Sequence, residues 1–126
     1  MELKSSKPKL LVATDTYYPK KDGVLIFLEK VLPELSHNYD ITVLAPMFTK
    51  RKKKIKGCSL VRLPVSEKIK ISYYRSVKPS LENIRAIEEL VKTSDIIWSQ
   101  DLALIGALAI YYGKKHKKPV VNYIHQ

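Results

Sequence analysis

The stretch from Leu10 to Lys30 constrains the fold of this chain more than any other, because it joins a strand pattern to a helix pattern through one polar loop. It opens with four apolar residues, Leu10 to Ala13, as a buried strand does. That run ends in Thr14 and Asp15, and a polar loop follows, residues 16–23, with two tyrosines, one aspartate and a glycine. Apolar residues then recur with helical spacing at Leu25, Leu28, Leu32 and Leu35. The stretch therefore predicts the first half of a βαβ unit, with its loop at the carboxyl end of a strand, where parallel α/β sheets bind their ligands.

Strand and helix patterns alternate along the rest of the chain. The predicted elements are strand Lys9–Thr14, helix Gly23–His37, strands Ile41–Ala45 and Cys58–Leu63, helix Leu81–Lys92, strand Asp95–Ser99, helix Leu102–Lys117 and strand Val120–Ile124. We expect Pro46 and Pro64 to close the second and third strands, and Pro33 to kink or break the first helix. Residues 65–78 are compatible with either a short extended piece or a surface loop.

This alternation predicts an α/β fold, a Rossmann-like three-layer sandwich with a mostly parallel sheet and helices on both faces. The expected strand order is 3-2-1-4-5, with the switch point between strands one and four. A chain of 126 residues accommodates one such domain. We expect a cytoplasmic protein, because no signal peptide is evident and the apolar runs are too short to span a bilayer.

Charge and cysteine content narrow the classes of partner. The formal net charge is +11, from 23 Lys and Arg against 12 Asp and Glu, which favours an anionic partner such as phosphate, an acidic membrane face or nucleic acid. The single cysteine, Cys58, excludes an internal disulfide and lies in a strand pattern typical of a buried thiol. No Cys/His cluster has the spacing of metal ligands, so we predict no metal site.

Several motifs extend the strand–loop–helix pattern. The loop gives Asp15-Thr16-Tyr17-Tyr18-Pro19-Lys20-Lys21-Asp22-Gly23, and the second strand gives Ile41-Thr42-Val43-Leu44-Ala45-Pro46. The segment that contains them resembles the start of the family 4 glycosyltransferases, retaining enzymes with the GT-B fold. Those chains commonly read D-x-[YF]-x-P-x-x-G-G and then V-x-V-L-[AT]-P. Here Asp22 stands where the first glycine of the pair is usual.

The resemblance continues near the end of the sequence. The strand Val120 to His125 is similar to a family segment that ends in tyrosine and histidine, with Ile124 inserted before the histidine. Gln100 and Asp101 occupy the turn where the family often has a histidine. The small residues of the following helix also match the family: Ala103, Gly106, Ala107 and Ala109.

The resemblance implies that residues 1–126 are half of a GT-B fold, a single amino-terminal, acceptor-side Rossmann-like domain. The carboxyl-terminal donor domain, with the E-x7-E carboxylates of the family, would lie beyond Gln126. A nucleotide sugar would be the donor substrate, no further cofactor is implied, and the acceptor would be a lipid or a saccharide. We therefore expect the chain to be inactive until a carboxyl-terminal domain or a separate partner chain joins it.

The predicted site lies at the carboxyl edge of the sheet, where polar residues follow the strands. His125 is the candidate catalytic residue, on the strength of the resemblance. The candidate substrate-binding residues are Asp15, Tyr17, Tyr18, Gly23, Gln100 and Asp101. Structural interpretations stay open for each: the aspartates as caps, the tyrosines packed on another domain, Gly23 as an easy start for the helix, and His125 as an exposed strand end.

A basic run separates the second and third predicted strands. It comprises Lys50, Arg51, Lys52, Lys53, Lys54 and Lys56. A solvated loop is the default interpretation, and contact with an anionic membrane surface is the functional one, because polybasic segments gain about 1 kcal/mol per residue there. On that interpretation the protein sits peripherally at the membrane.

Two other functions remain open. One is a small nucleotide-binding α/β protein that is complete in itself, and the other is a non-catalytic basic module for an anionic membrane surface or nucleic acid. The sequence has no RNP, helix-turn-helix or zinc motif, which disfavours nucleic acid. Apolar surface left uncovered by the absent half would favour self-association into a homo-oligomer.

Overall fold

The computed structural model describes residues 7–15, 17, 23–47, 53–71, 74–77, 80–100 and 103–122. Its elements are β1 (Lys9–Ala13), α1 (Gly23–Leu35), β2 (Asp40–Met47), β3 (Cys58–Ile71), β4 (Tyr74–Val77), α2 (Leu81–Thr93), β5 (Ile96–Ser99), α3 (Leu104–Lys115) and β6 (Val120–Asn122). The predicted α/β class is confirmed.

The strands form one six-stranded sheet in the order β4-β3-β2-β1-β5-β6. From β3 to β6 every neighbouring pair is parallel. Because β5 and β6 are the predicted fourth and fifth strands, this part of the sheet has the predicted order 3-2-1-4-5. β1 pairs with β2 on one side and with β5 on the other. The switch point therefore lies between β1 and β5, as the sequence predicts.

The two faces of the sheet bury separate hydrophobic cores. On one face, Leu25, Leu28 and Leu32 of α1 are fully buried against the sheet, at 0% exposure. Each such side chain contributes about 1.5–3 kcal/mol by leaving water. On the other face, residues of α2 and α3 pack against the sheet, with Ile87, Val91 and Ile105 fully buried. Helices on both faces produce the predicted three layers.

The prediction that Pro46 closes the second strand is wrong, because β2 runs on to Met47. Backbone groups two residues apart point to the same side of a strand. The carbonyl of Leu44 accepts from Thr14 N, on the β1 side, at 3.0 Å. The nitrogen of Pro46 therefore faces the β1 side as well, beyond the last residue of β1, where a missing N–H costs no ladder hydrogen bond.

The prediction that Pro64 closes the third strand at Leu63 is also wrong. Pro64 pairs with Met47, the last residue of β2, so the proline falls where the parallel ladder ends. β3 then continues to Ile71 and pairs antiparallel with β4, with a register shift between Val65 and Lys70. The uncertain segment of the sequence is thus part of an edge hairpin.

The first helix ends earlier than predicted, at Leu35 instead of His37. The amide of Ser36 still bonds to Leu32 O, but those of His37 and Asn38 bond three residues back, which tightens the chain into a turn. Pro33 lies inside α1 without ending it, and the Ser36 hydroxyl donates to its carbonyl at 2.6 Å. A capping bond at this point stabilises the end of the helix.

Candidate functional site

The switch point brings the ends of β1 and β5 together at the carboxyl edge of the sheet. Gln100 N donates to Ala13 O at 2.9 Å, which extends the pairing of these strands by one residue. Thr14, directly after β1, is fully buried. Of the predicted site residues, the structure places Asp15 and Gln100 at this edge.

The Asp15 carboxylate caps a helix from a different part of the chain. Its two oxygens accept hydrogen bonds from Ile105 N at 2.9 Å and Gly106 N at 3.0 Å, in the first turn of α3. The N-cap residue of α3, Ala103, makes no side-chain cap bond. Asp15 therefore supplies the hydrogen-bond acceptor that a helix amino terminus favours. Its negative charge stabilises the helix by about 0.3–1 kcal/mol. The predicted role of Asp15 in substrate binding stays a prediction.

The Gln100 side chain is only 2% exposed. Its Oε1 accepts from Trp98 Nε1 at 2.6 Å, and the Trp98 ring lies 6.4 Å from that of Phe27 on α1. Next to it, the Ser99 hydroxyl donates to Gly106 O at 3.2 Å. The end of β5 is thus fastened to both helix layers, and Gln100 holds a tryptophan in place.

Tyr17 is 2% exposed and belongs to the core on the α1 face. Its hydroxyl donates to Lys53 O at 2.6 Å. Burial raises the pKa of Tyr17 to about 12 from its usual 10.0, with smaller contributions from nearby charges. These contacts connect the loop after β1 to the basic run. The predicted role of Tyr17 in substrate binding stays a prediction.

Gly23 is the first residue of α1 and is exposed. A Cβ built on it meets nothing within 4 Å, so no packing in the described part of the chain requires glycine there. The first turn of α1 contains no acidic residue. Among the described residues of this first turn, no carboxylate offsets the positive end of the helix, and the predicted role of Gly23 in substrate binding stays a prediction.

The basic run is partly described. Lys53, Lys54 and Lys56 are exposed, between the buried core residues Ile55 and Cys58. Burial raises the pKa of the Cys58 thiol to about 11 from 9.0, as expected for an inert thiol. The remaining predicted site residues lie outside the described part of the structure: Tyr18, Lys50, Arg51, Lys52, Asp101 and His125.

Sequence reasoning missed Arg62. Cys58, Leu60 and Arg62 alternate along β3 and so share the face that packs towards α1. A charged residue that continues an inward-facing alternation was the available signal. Arg62 is half-buried and lines a cavity of about 330 Å³ with Met47, Lys54 and Leu60.

A second cavity, of about 430 Å³, lies at the start of α2 and is lined by Pro64 and residues 80–83. Here the Ser80 hydroxyl accepts from Asn83 N at 3.2 Å, which caps the start of α2. Asn83 Nδ2 in turn donates to Pro64 O at 3.3 Å. The polar groups of this cavity thus bond to one another. Within the described residues, no group of three or more His, Cys, Asp or Glu side chains could hold a metal ion.

The geometry defines an α/β domain of Rossmann-like architecture with a polar switch point and a cationic corner. No protein-family model matches this chain, and no curated protein matches it in sequence. The resemblance to the family 4 glycosyltransferases is carried by the motifs in the sequence.

Proposed function

We propose that this domain is the acceptor-side unit of a glycosyltransferase that transfers a sugar from a nucleotide sugar to a lipid or saccharide acceptor. The observation that carries the proposal is the switch point between β1 and β5. The loop motif that resembles the family follows β1 directly, and Asp15 and Gln100 lie at the same edge. Ligands bind at this position in open α/β sheets.

The proposal assigns the donor nucleotide to a second domain or to a partner chain. Stabilising the diphosphate that departs needs several converging donors in a site closed to water. At the described switch point, Asp15 already accepts two backbone bonds and Gln100 is buried. One open edge of this kind can orient an acceptor but does not enclose a nucleotide sugar.

A cytoplasmic location at the periphery of an anionic membrane belongs to the same proposal. The net charge of +11 and the exposed lysines 53, 54 and 56 support it. In the part of the chain that the structure describes, every helix is too short or too polar to cross a bilayer.

The decisive test is complementation. The chain is mixed with a donor-side domain of a retaining GT-B enzyme, and transfer is followed with a panel of radiolabelled nucleotide sugars and with lipid and saccharide acceptors. We expect transfer in the mixture and none by either part alone. Transfer or hydrolysis by this chain alone would show that it is a complete enzyme of another type.

Acceptor binding can be mapped separately by NMR. We expect saccharide or lipid acceptors to shift the amide signals of Ala13, Gly23 and Gln100 at the carboxyl edge. The amides of Asp40 and Asp95, at the opposite edge of the sheet, serve as the reference. Shifts confined to the opposite edge would contradict the proposed site.

A further inference from the structure

A cavity at the corner of the sheet combines cationic and apolar side chains. It is lined by Lys54, Arg62, Met47 and Leu60, without a carboxylate among these residues, and its volume is about 330 Å³. Met47 ends β2, and Leu60 and Arg62 lie on the neighbouring strand β3. The cavity is therefore separated from the switch point, which lies on the other side of β2.

The backbone on either side of Lys54 is fixed, although its side chain is exposed. The carbonyl of Lys53 accepts from the buried Tyr17 hydroxyl at 2.6 Å. Ile55 is 4% exposed, and its carbonyl accepts from Cys58 N at 3.1 Å. Gly57 then closes the turn at a φ of 83°, in the left-handed region that favours glycine. The Lys54 ammonium is thus presented from an ordered loop, which lowers the entropy lost when a ligand binds.

Arg62 approaches the same cavity from the rigid sheet. It pairs in register with Ala45 of β2, whose side chain is fully buried. Its guanidinium carries five N–H donors in a planar arrangement. Arginine matches the paired oxygens of a phosphate, and a lysine nearby adds a second positive charge.

The apolar side of the cavity restricts the ligand further. Met47 is 37% exposed and Leu60 is half-buried, so a ligand that covers them removes apolar surface from water. The volume is at the lower end for small-molecule sites, which suits a phosphate with a short apolar portion better than a whole nucleotide sugar. We propose that this corner binds a phosphate monoester attached to an apolar chain, either a lipid headgroup or a free phosphate ester.

This inference rests on the anionic contact of the proposed function, which also uses Lys54, and deepens it. It uses none of the residues at the switch point, so loss of ester binding and failure of the complementation test are separate outcomes. The probe is dihexanoyl phosphatidic acid below its micellar concentration, titrated into the whole chain by calorimetry and by NMR. We expect saturable binding, with shifts at Leu60 and Arg62. Glycerol 3-phosphate, which lacks the chains, is expected to bind more weakly.

The variants K54Q and R62Q each remove one charge from the cavity. We expect each to weaken binding of phosphatidic acid about tenfold, as loss of a hydrogen bond to a charged group does. K114Q is the matched control, since it changes the net charge equally on an exposed residue of the last turn of α3. Circular dichroism checks folding, and K54Q carries the test alone if R62Q unfolds, because the Lys54 side chain is exposed.

Two arms distinguish the sources of the phosphate. Vesicles of phosphatidic acid and phosphatidylcholine that bind the wild type and release K54Q more readily than K114Q identify a lipid headgroup. Binding of the soluble esters alone, with the same dependence on Lys54, identifies a free phosphate ester. The proposal is overturned if neither ester binds saturably, or if K114Q weakens binding as much as K54Q does.

Discussion

Two regions at the carboxyl edge of the same sheet use their polar groups in different ways. At the switch point, Asp15 accepts from two amides of α3, and Gln100 is 2% exposed and holds Trp98. At the corner of β2 and β3, Lys54 and Arg62 face a cavity. In the first region the polar side chains bond to groups of neighbouring elements, and in the second two cationic side chains line a cavity.

The comparison shows that a polar residue near a strand end can have either of two roles, stabilising the fold or binding a ligand. A carboxylate that follows a parallel strand can stabilise the next helix as readily as it can bind a substrate, because both offer N–H or O–H donors. At the corner, by contrast, two positively charged side chains line one cavity, and its four lining residues include no carboxylate. The second pattern is therefore the more specific indication of a ligand.

A pair of glycines gives the largest expected contrast between the regions. A side chain at Gly57 meets a positive φ and the side chain of Ser36, whereas one at Gly23 meets nothing within 4 Å. We expect G57A to lower the free energy of unfolding by about 2–3 kcal/mol and G23A to change it by less than about 0.5 kcal/mol. Urea denaturation measures both. Equal losses of stability in the two variants would contradict the left-handed conformation of Gly57 and its close approach to Ser36.

A pair of aspartates tests whether Asp15 supports α3. Asp95, on the opposite edge, accepts from Lys9 N at 2.7 Å in an exposed bond, so D95A is the matched variant. We expect D15A to cost about 1–2 kcal/mol, since two amides of a helix start lose their acceptor, and D95A to cost less. If D15A left stability unchanged and abolished acceptor binding, Asp15 would be a binding residue first.

Tyr17 gives a smaller effect with a characteristic pH dependence. Y17F removes the bond to Lys53 O, and we expect a loss of about 1 kcal/mol at pH 7. Because folding raises the pKa of Tyr17 from 10.0 to about 12, its stabilising contribution is complete below pH 10 and disappears as the pH rises towards 12. The difference in unfolding free energy between wild type and Y17F should therefore shrink over this range. A constant difference would contradict the buried phenol.

The smallest effect is expected far from both regions, where Glu88 of α2 contacts His116 at the end of α3 at 2.7 Å. The hydrogen bond from His116 lowers the pKa of Glu88 from its usual 4.5, and Lys115 contributes. A lowered carboxylate pKa stabilises the fold above pH 4.5, and this contribution is lost as the pH falls through the lowered value. We expect E88Q to reduce the acid sensitivity of unfolding slightly, as followed by circular dichroism, without changing ligand binding at the corner.

The sequence predicts the parallel sheet well because each strand and helix has a strong local pattern. β1, α2 and the strand order agree with the pattern, and the start of α1 at Gly23 agrees as well. The sequence does not predict the β3–β4 hairpin, because the pairing of two strands is a non-local interaction that the alternation of residues along one strand does not specify. The predictions that Pro46 and Pro64 end their strands are wrong for a related reason. Whether a strand tolerates a proline depends on which neighbouring strand the proline nitrogen faces.

The candidate site was harder to predict than the fold. The sequence indicates that Asp15 and Gln100 follow two strands at one edge of the sheet. Their partners, Gly106 and Trp98 among them, depend on how α3 and the end of β5 pack. The corner cavity needs the pairing of β2 with β3 before Met47 and Arg62 become neighbours. Residue type and spacing indicate that one edge of the sheet is polar. Only the packing shows which of its polar groups form hydrogen bonds within the protein.

The hydrogen bond from Tyr17 to Lys53 ties together two loops that are 36 positions apart in the chain. A molecule that displaces the loop beside Lys54 must therefore stretch or break a contact of the segment that follows β1. Any such coupling is reciprocal. If a ligand at one loop changes the affinity of the other loop by some factor, a ligand at the other loop changes the first affinity by the same factor. The Tyr17 hydroxyl thus provides a physical link through which binding at the corner and binding at the switch point would affect each other.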